Sequence, residues 1–562
     1  MHLQGNFQIF KKRYKVTLTD ECLTWLPEEK PECCRRVPIN QIVGSWLCPR
    51  GSTSCCSHDI TTQPTTHAHT PCVPSPLALP QCKHTLGKRW GAGLTLEYCE
   101  RVSEGRGSGS GATEGCTGTG GGSGGSCGGG GSGEGTGCNG GGGGGDDGVK
   151  WRTKRMVLEH NASDVILAWH HSIWALLNGL PSRPRRLVVV VNPVGGRRRA
   201  LATYKNKVAP LLHRAAIATS LTVTEYQGHG REVGEGVGEG VDGVVAVGGD
   251  GLVNEVVLGL LLRSCRLHHH DPHDHTRPLP STKLRLGIIP GGSTDATCHG
   301  THGTSDVITA ALHIIMGDSR SVDLAAVYSG DKLQSVATTM VSYGYFGDLL
   351  RTSERWRCLG PTRYLVAGLL QFFRNRSYEG SLKVLTPATP LSHTYDIDKC
   401  NHDCGVCDNA ASSTSKPGEW LQFNGRWSIV TSAVMSCACR LTPHGISPTA
   451  HLGDGCTDLI LVSGGSRWRV LTYLLRTAYT GDAARLNHVN MHRVQEVHFT
   501  PKVNKPKSSW NCDGEQLLEP TLRLKVHCQR LRLFSRGVES AGDSYTKTTI
   551  SPSASCKNAS SV

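Results

Sequence analysis

Three runs of apolar, largely β-branched residues, each ending in a glycine-rich turn, most constrain the fold of this chain. They are 185–196 (RRLVVVVNPVGG), 243–251 (GVVAVGGDG) and 284–295 (LRLGIIPGGSTD). A strand without polar alternation is covered on both faces, which is typical of a parallel sheet flanked by helices. Helices are predicted between and after these runs, at 197–214, 252–262 and 306–317. The pattern therefore predicts an α/β domain over about residues 185–325.

The three glycine-rich turns predict an anion site. Each follows the carboxyl end of a strand, where ligands of open α/β sheets bind. Glycine lets backbone N–H groups approach phosphate oxygens, and a following helix N-terminus favours negative charge. The chain has no G-x-x-x-x-G-K-[ST] sequence and no protein-kinase H-R-D or D-F-G set. These absences exclude a P-loop enzyme and a protein kinase.

Asp250 stands inside the turn Gly248–Gly251, directly before a predicted helix. One interpretation is that it caps helix 252–262. A carboxylate near phosphates adds repulsion, so the other interpretation is that it holds a metal ion or accepts a hydroxyl proton as a general base. The residues alone are consistent with both roles.

The N-terminal region is predicted to be mostly β. Alternating strands are expected at 7–46, 94–102 and 151–160, with a helix at 164–179. Two stretches between them are predicted to be disordered inserts, at about 47–84 and 105–148. The second holds 25 of the 69 glycines of the chain, a composition that cannot bury an apolar core.

Beyond residue 325 strand-like sequence dominates, including 335–350, with two predicted helices at 361–375 and 468–481. A β-rich domain is predicted over 326–538 and a disordered tail over 539–562. No window approaches the ~18 apolar residues of a membrane span, and the N-terminus lacks a signal-peptide core. A cytoplasmic protein with mostly reduced thiols is expected.

The chain is basic, with 60 Lys and Arg against 46 Asp and Glu and a net charge of +14. This balance favours anionic partners such as nucleotide phosphates, acidic lipids or nucleic acid. Basic side chains of the N-terminal strands could face an anionic membrane, or they could be ordinary solvated charges at strand edges. They are Lys11, Lys12, Arg13, Lys15, Arg152, Lys154 and Arg155.

The sequence GGDGLVNEVVLGL, with NPVGG before it and PGGSTD after it, resembles the catalytic domain of the diacylglycerol, sphingosine and ceramide kinase family. Downstream motifs are similar to the ceramide kinase branch: SYGYFGDLLRTSERWRCLGPTRY, CNHDCGVC, MSCACR, PHGISPTAHLGDGCTDLILV, SSWNCDGE and VHCQRLRLFSRG. The resemblance implies a multidomain chain with a two-lobed catalytic fold of the diacylglycerol kinase type. Its lobes would be an ATP-binding α/β lobe at 185–325 and a lipid-substrate lobe at 326–538. A pleckstrin-homology-like β-barrel, closed by a helix containing Trp169, would occupy residues 1–180.

The resemblance also implies the reaction. The enzyme would transfer the γ-phosphate of ATP, with Mg²⁺, to the primary hydroxyl of ceramide and give ceramide 1-phosphate. Its partners would be ceramide and an anionic membrane surface, with peripheral membrane association and no nucleic acid. The alternatives are a sphingosine or diacylglycerol kinase, and a non-catalytic membrane-binding protein with a decayed kinase scaffold. The intact GGDG turn argues against decay.

Carried onto this chain, the family motifs make Asp250 the general base and place the lipid substrate at Gly248, Gly249, Asp250, Gly251 and Asp348. The implied ATP-binding residues are Asn192, Pro193, Val194, Thr224, Glu225, Tyr226, Gln227, Gly228, Glu255, Gly292, Ser293, Thr294, Arg357, Arg363, Asp513, Gly514 and Glu515. Structural alternatives are solvated helix charges for Arg357, Arg363 and Glu255, and a turn cap for Asp348.

Cys400, Cys404 and Cys407 have the C-x3-C-x2-C spacing of metal ligands, with His402 nearby. A structural zinc ion is one interpretation, with Cys437 or Cys439 as a fourth ligand. A cluster of reduced thiols in a loop is the other. The His-rich segment 268–275 is interpreted as a solvated loop.

Overall fold

The computed structural model describes most of the chain. The described residues are 1–29, 33–49, 92–102, 149–196, 198–356, 362–388, 400, 404–412, 417–439, 442–503, 505 and 507–539. Arg357, His402, the glycine-rich tract, the first predicted insert beyond residue 49 and the predicted tail beyond residue 539 lie outside them. Among the described residues, no helix combines the length and apolar character needed to cross a bilayer.

The N-terminal region is a seven-stranded antiparallel sheet followed by one helix. Its elements are β1 (His2–Ile9), β2 (Lys12–Thr19), β3 (Cys22–Pro27), β4 (Arg35–Pro38), β5 (Ile42–Pro49), β6 (Ala92–Val102), β7 (Lys150–His160) and α1 (Ser163–Gly179). The strand order is β4-β3-β2-β1-β7-β6-β5. Trp169 of α1 packs edge-on against Phe7, with ring centroids 4.8 Å apart. Residues 47–49, predicted to open the first insert, instead continue β5, because Leu47 pairs with Leu94 of β6.

The predicted α/β domain is present. Its strands are parallel, in the order β9-β8-β10-β11, with bounds β8 (Arg186–Val191), β9 (Ala218–Val223), β10 (Gly243–Gly248) and β11 (Arg285–Pro290). The helices are α2 (Ala200–Thr203), α3 (Ala209–Arg214), α4 (His229–Gly236), α5 (Asp250–Leu267), α6 (Ala296–His302) and α7 (Val307–Met316). Val190 and Val245 are fully buried, as strands covered on both faces require.

The remaining strands continue this sheet into a β-rich region. They are β12 (Arg320–Ser329), β13 (Lys332–Ala337), β14 (Met340–Gly344), β15 (Tyr378–Pro387), β16 (Pro417–Ala433), β17 (Thr457–Ser463), β18 (Val489–Val494), β19 (Glu496–Pro501), β20 (Trp510–Cys512), β21 (Glu515–Leu517) and β22 (Leu522–Leu533). The helices are α8 (Tyr345–Glu354), α9 (Thr362–Arg374), α10 (Gly405–Ser412) and α11 (Arg467–Tyr479). The last strand, β22, joins the two regions because Leu533 pairs in parallel with Leu286 of β11.

One predicted strand is wrong in part. The strand-like sequence 335–350 leaves the sheet at Gly344, whose φ of 85° is accessible chiefly to glycine, and α8 begins at the next residue.

Polar contacts dock the N-terminal sheet onto the α/β domain. Glu97 of β6, only 1% exposed, pairs with Arg155 of β7 and with Arg214 of α3. Arg152 makes a two-point contact with Asp306, the residue that caps α7. Arg152 therefore joins the N-terminal sheet to the α/β domain, whereas the ion pair of Arg155 with Glu97 stays within the sheet.

The end of the described chain belongs to the same junction. Glu539, placed by the sequence at the start of the disordered tail, is buried. Its carboxylate accepts a hydrogen bond from the indole N–H of Trp151 at 2.7 Å. A buried polar pair of this kind fixes Glu539 against β7, because leaving either partner unsatisfied is costly.

Candidate functional site

The glycine-rich turns after β8, β10 and β11 meet at one point, as the sequence predicts. A Cβ atom on Gly196 would lie 2.7 Å from the carbonyl carbon of Gly292. A Cβ atom on Gly292 would lie 2.5 Å from the Cα of Gly249. The N–H of Gly291 also donates to the carbonyl of Gly248 at 3.0 Å. Only residues without a side chain allow three backbones to approach this closely.

Asn192 shapes the first turn. Its Oδ1 accepts hydrogen bonds from the N–H groups of Val194 and Gly195, both at 3.0 Å. This side-chain turn holds Pro193 and Val194 at the edge of the sheet, where Val194 is 71% exposed. The predicted ATP-binding residues 192–194 therefore lie beside the convergent glycines, and Asn192 acts there through its contact with the backbone.

Asp250 is the first residue of α5 but bonds to the next helix. Its Oδ1 accepts from the N–H and the hydroxyl of Thr297, at 2.8 and 2.9 Å. Its Oδ2 accepts from the N–H of Ala296 at 3.2 Å. The carboxylate thus satisfies the N-terminus of α6, not the cap of its own helix that the sequence offered as an alternative. The single acceptor bond of Oδ2 leaves that oxygen with capacity for another proton donor.

Burial raises the pKa of the Asp250 carboxyl above its ordinary value, and the hydrogen bonds from Thr297 and Ala296 offset part of that rise. The charge of Asp513 raises it further. A carboxylate with a raised pKa is a stronger base, which suits removal of a hydroxyl proton.

The loop after β9 is organised by Glu255 of α5. Its two carboxylate oxygens accept from the N–H groups of Gly228 and Gly230, at 2.9 and 3.0 Å. Gly228 has a φ of 92°, which glycine adopts without strain. Glu255 is therefore not the solvated helix charge that the sequence offered as an alternative. Both of its carboxylate oxygens hold the backbone at the start of α4.

The other predicted residues of this loop lie at the surface. The ring of Tyr226 stacks on that of His229 at 4.8 Å, and its hydroxyl donates to Glu232 at 2.6 Å. The N–H of Thr224 donates to the carbonyl of Val191, which ties the loop to the end of β8. Glu225 and Gln227 are exposed. The loop places an aromatic ring next to the edge that carries the glycine turns.

The third turn is closed by Asp295, which the sequence reasoning did not single out. Its Oδ1 accepts from the N–H groups of Gly291 and Gly292, at 3.3 and 2.8 Å. Ser293 and Thr294 are exposed at the tip of this turn. The side chains of Ser293 and Thr294, two predicted ATP-binding residues, are therefore exposed on a turn whose backbone is held by the Asp295 carboxylate.

Asp513 connects the β-rich region to α5. The carboxylate is buried and accepts from Thr338, Thr339 and Met340, including three backbone N–H groups at 2.7 to 3.1 Å. It also accepts from the side-chain amide of Asn254, one turn after Asp250 on α5, at 3.3 Å. Asp513 is thus occupied by protein donors, which makes it a residue that positions α5.

The two residues after Asp513 extend toward the loop held by Glu255. Gly514 has a φ of 90°, and its N–H donates to Asn511 at 2.8 Å. Burial raises the pKa of Glu515, as do the charges of Glu255 and Asp513, and Arg231 opposes them. The structure therefore brings the late motif 513–515 together with Glu255, although they are far apart in sequence.

Arg363 and Asp348 have protein partners in the β-rich region. The guanidinium of Arg363 pairs with Glu354 of α8 at 3.3 Å and lies over the ring of Tyr364. Asp348 is 1% exposed, and its carboxylate accepts from Tyr378, Ser508 and Arg351. Neither contact set reaches the glycine turns, so these two predicted contacts with ATP and lipid are not brought to the convergence point.

Sequence reasoning missed Thr297, Asn254 and the segment 338–340. Thr297 lies two residues after the turn PGGSTD and Asn254 four residues after Asp250, so proximity to the motifs was the available signal. No local signal marks residues 338–340, because their partner is more than 170 positions away.

Comparison with known proteins gives consistent matches over the catalytic region. The family model of the diacylglycerol kinase catalytic domain matches residues 186–327, and that of the ceramide kinase C-terminal domain matches residues 343–550. Ceramide kinases of Mus musculus and Homo sapiens are 34% identical over 433 residues, covering 69% of this chain and 82% and 81% of theirs. A solved diacylglycerol kinase from Bacillus anthracis aligns with a TM-score of 0.41 at 16% identity, covering 63% of this chain and 97% of its own.

Proposed function

The chain belongs to the ceramide kinase family, and from this membership we propose that it transfers the γ-phosphate of ATP to the primary hydroxyl of ceramide, giving ceramide 1-phosphate. The observation that carries the proposal is Asp250, held by Thr297 at the point where three glycine turns converge. A decayed scaffold would be free to lose Asp250, which this chain keeps.

In the proposed reaction Asp250 accepts the proton of the ceramide hydroxyl through Oδ2, as the oxygen attacks the γ-phosphorus. The bond from the γ-phosphorus to the β,γ-bridging oxygen breaks, and ADP leaves. Positioning and electrostatic stabilisation dominate catalysis of phosphoryl transfer. We assign the turns after β8 and β11, with the exposed side chains of Ser293 and Thr294, to the ATP phosphates, and Gly248–Gly251 to the acceptor side.

ATP use with Mg²⁺ is consistent with the charges at the site. Glu255, Asp513 and Glu515 are close enough for the first two to raise the pKa of the third. A divalent cation would relieve such repulsion, and Glu515 is the member whose oxygens could turn to it. When bound, Mg²⁺ neutralises phosphate charge. The other predicted nucleotide contacts remain proposals, namely Asn192, Pro193, Val194, Thr224, Glu225, Tyr226, Gln227, Gly228, Gly292, Ser293, Thr294, Arg357, Arg363 and Gly514.

The domain roles are also proposals. We assign residues 1–180 to a pleckstrin-homology-like domain, supported by seven antiparallel strands and one following helix with buried Trp169. We assign 185–325 to ATP and 326–538 to the lipid. A headgroup contact of Asp348 stays a prediction, since its carboxylate now bonds three side chains of the lobe.

We propose peripheral binding to an anionic membrane through helices α9 and α11. Their exposed apolar side chains are Leu365, Leu369, Phe373, Trp468, Leu475 and Tyr479. The two helices touch where Phe372 meets Trp468, with ring centroids 5.9 Å apart. They carry five arginines and no acidic residue. Apolar side chains among arginines suit the boundary between acyl chains and anionic headgroups.

The reaction is tested by supplying labelled ATP with ceramide, sphingosine or diacylglycerol in mixed micelles. We expect the highest kcat/KM with ceramide, and a large loss of label transfer in Asp250→Asn. Preference for sphingosine or diacylglycerol would replace the proposed substrate, and transfer by Asp250→Asn at the wild-type rate would remove the proposed base.

The membrane surface is tested by co-sedimentation with phosphatidylcholine vesicles, with and without phosphatidylserine, across a salt series. Leu369→Glu should release the protein, whereas Leu518→Glu, at a still more exposed leucine outside these helices, should not. Equal binding of both variants would show that α9 is not the contact. Lys11→Glu with Lys15→Glu tests the N-terminal sheet in the same way.

A further inference from the structure

Three cysteines of segment 400–407 and a histidine from a later loop meet in the buried core. Cys400, Cys404, Cys407 and His451 are all buried, and one ligand atom of each lies within 4.8 Å of the others. The Sγ atoms of Cys400 and Cys407 are 3.5 Å apart, and Sγ of Cys404 is 3.4 Å from Nδ1 of His451. All three cysteines are free thiols.

These separations match those of a tetrahedral zinc site. Zinc binds thiolate sulfur at ~2.3 Å and imidazole nitrogen at ~2.0–2.1 Å. Tetrahedral angles then place two sulfurs ~3.8 Å apart, and a sulfur and a nitrogen ~3.5 Å apart. The Cys400–Cys407 and Cys404–His451 pairs lie within a few tenths of an ångström of these values. All four ligand atoms lie within 4.8 Å of one another, so side-chain shifts of about 1 Å would let one ion join them.

The surroundings fit the charge and rigidity of such a site. Three thiolates, a neutral imidazole and Zn²⁺ carry a net charge of −1. The guanidinium of Arg320 supplies a positive charge 3.4 Å from Sγ of Cys400. The carbonyl of Cys400 accepts from the N–H of Val538 at 3.0 Å, and that of Cys407 accepts from the side-chain amide of Gln529 at 2.8 Å.

The fourth ligand differs from those the sequence offered. Cys437 donates to the carbonyl of Thr339 at 3.2 Å, and Cys439 bonds the hydroxyl of Thr442. His451 takes their place, 47 positions after Cys404 in sequence. No spacing rule connects it to the C-x3-C-x2-C motif.

We propose that Cys400, Cys404, Cys407 and His451 form a structural zinc site of the Cys3His type. Four protein ligands leave no open position for substrate, so the ion would stabilise the fold and take no part in the reaction. It would fasten the start of α10 to the loop before β17. The proposal does not depend on the kinase reaction.

The first test is elemental analysis of the full chain, purified without chelator. We expect about one zinc per chain, because a closed site of this type binds its metal tightly. His451→Ala and Cys404→Ser should lose the zinc, and Cys439→Ser, at a buried cysteine outside the cluster, should keep it. A metal-free wild-type protein, or full zinc content in His451→Ala, would overturn the assignment.

A second measurement covers the case in which those variants do not fold. Wild-type protein stripped with chelator should melt at a lower temperature and recover with Zn²⁺ but not with Mg²⁺. Loading with Co²⁺ should give the absorption of tetrahedral cobalt with thiolate ligands. A disulfide between Cys400 and Cys407, found by mass spectrometry of the native protein without reductant, would refute the site.

Discussion

Asp250 and Thr297 form a two-point contact between the first turns of α5 and α6. Both the N–H and the hydroxyl of Thr297 donate to Oδ1, at 2.8 and 2.9 Å. The contact orients the carboxylate, while Oδ2 accepts one longer bond, from the N–H of Ala296 at 3.2 Å. In the proposed reaction Oδ1 holds the side chain in place and Oδ2 accepts the proton.

Asp250→Asn should lower kcat by about 100-fold or more, because the amide keeps the size of the side chain but cannot accept the hydroxyl proton. Steady-state kinetics with ceramide measure the change. Asp331→Asn, at an exposed acid of the same chain, is the control and should leave kcat unchanged. Equal kcat values for Asp250→Asn and Asp331→Asn would show that Asp250 is not the general base.

Thr297→Val should move the acidic limb of the kcat profile to higher pH. Removing the hydroxyl takes one hydrogen bond from the ionised carboxylate, so the raised pKa of Asp250 rises further. A bond to a charged group contributes ~1.5–3 kcal/mol, which corresponds to a shift of about one pH unit or more. Thr297→Ser keeps the hydroxyl, so the acidic limb of its kcat profile should lie at the wild-type pH. Identical profiles for the Val and Ser variants would show that the hydroxyl does not stabilise the ionised carboxylate.

Gly292→Ala should lower the melting temperature and abolish activity, because its Cβ would lie 2.5 Å from the Cα of Gly249. Gly251→Ala is the matched comparison, since nothing lies within 4 Å of its Cβ position. It should melt at or above the wild-type temperature, as alanine favours a helix over glycine. Thermal denaturation of both variants measures the difference. A wild-type melting temperature for Gly292→Ala would contradict the close contact between the backbones of Gly292 and Gly249.

Stability should fall as pH drops from about 6.5 to 4. Burial lowers the pKa of His302 to about 4, whereas an unfolded histidine has a pKa of ~6.5. The unfolded state then binds more protons in this window, so the contribution of His302 is complete above it and is lost toward pH 4, by about 3 kcal/mol. Urea unfolding across pH should show a shallower slope for His302→Gln than for the exposed control His273→Gln. Equal slopes would argue against a buried neutral imidazole.

Deleting residues 107–147 should leave activity and melting temperature nearly unchanged. Val102 and Lys150 pair at the ends of β6 and β7, so a short loop can connect the strands without the glycine-rich tract. Trp151→Ala, on the same strand but with its indole bonded to Glu539, should lower the melting temperature. A deletion as damaging as Trp151→Ala would show that the tract has contacts that its composition does not predict.

The α/β domain and the position of its site could be predicted from the sequence alone. The apolar runs at 186–191, 243–248 and 285–290 contain no alternation, so they can only be strands covered on both faces. The glycine motifs that follow them are local signals, and their meeting at one sheet edge follows from parallel topology. Asp250 could be selected because it stands inside one of those motifs.

The contacts of the polar side chains could not be predicted without the three-dimensional fold. Glu255 and Asp513 were assigned to the nucleotide from their motifs, yet each is occupied by backbone N–H groups of a distant segment. His451 joins the cysteine cluster from another loop. Hydrogen bonds and metal ligation act over about 3 Å in space and leave no periodic trace along the chain, whereas burial of a strand or helix face repeats every two or three to four residues and can be read locally.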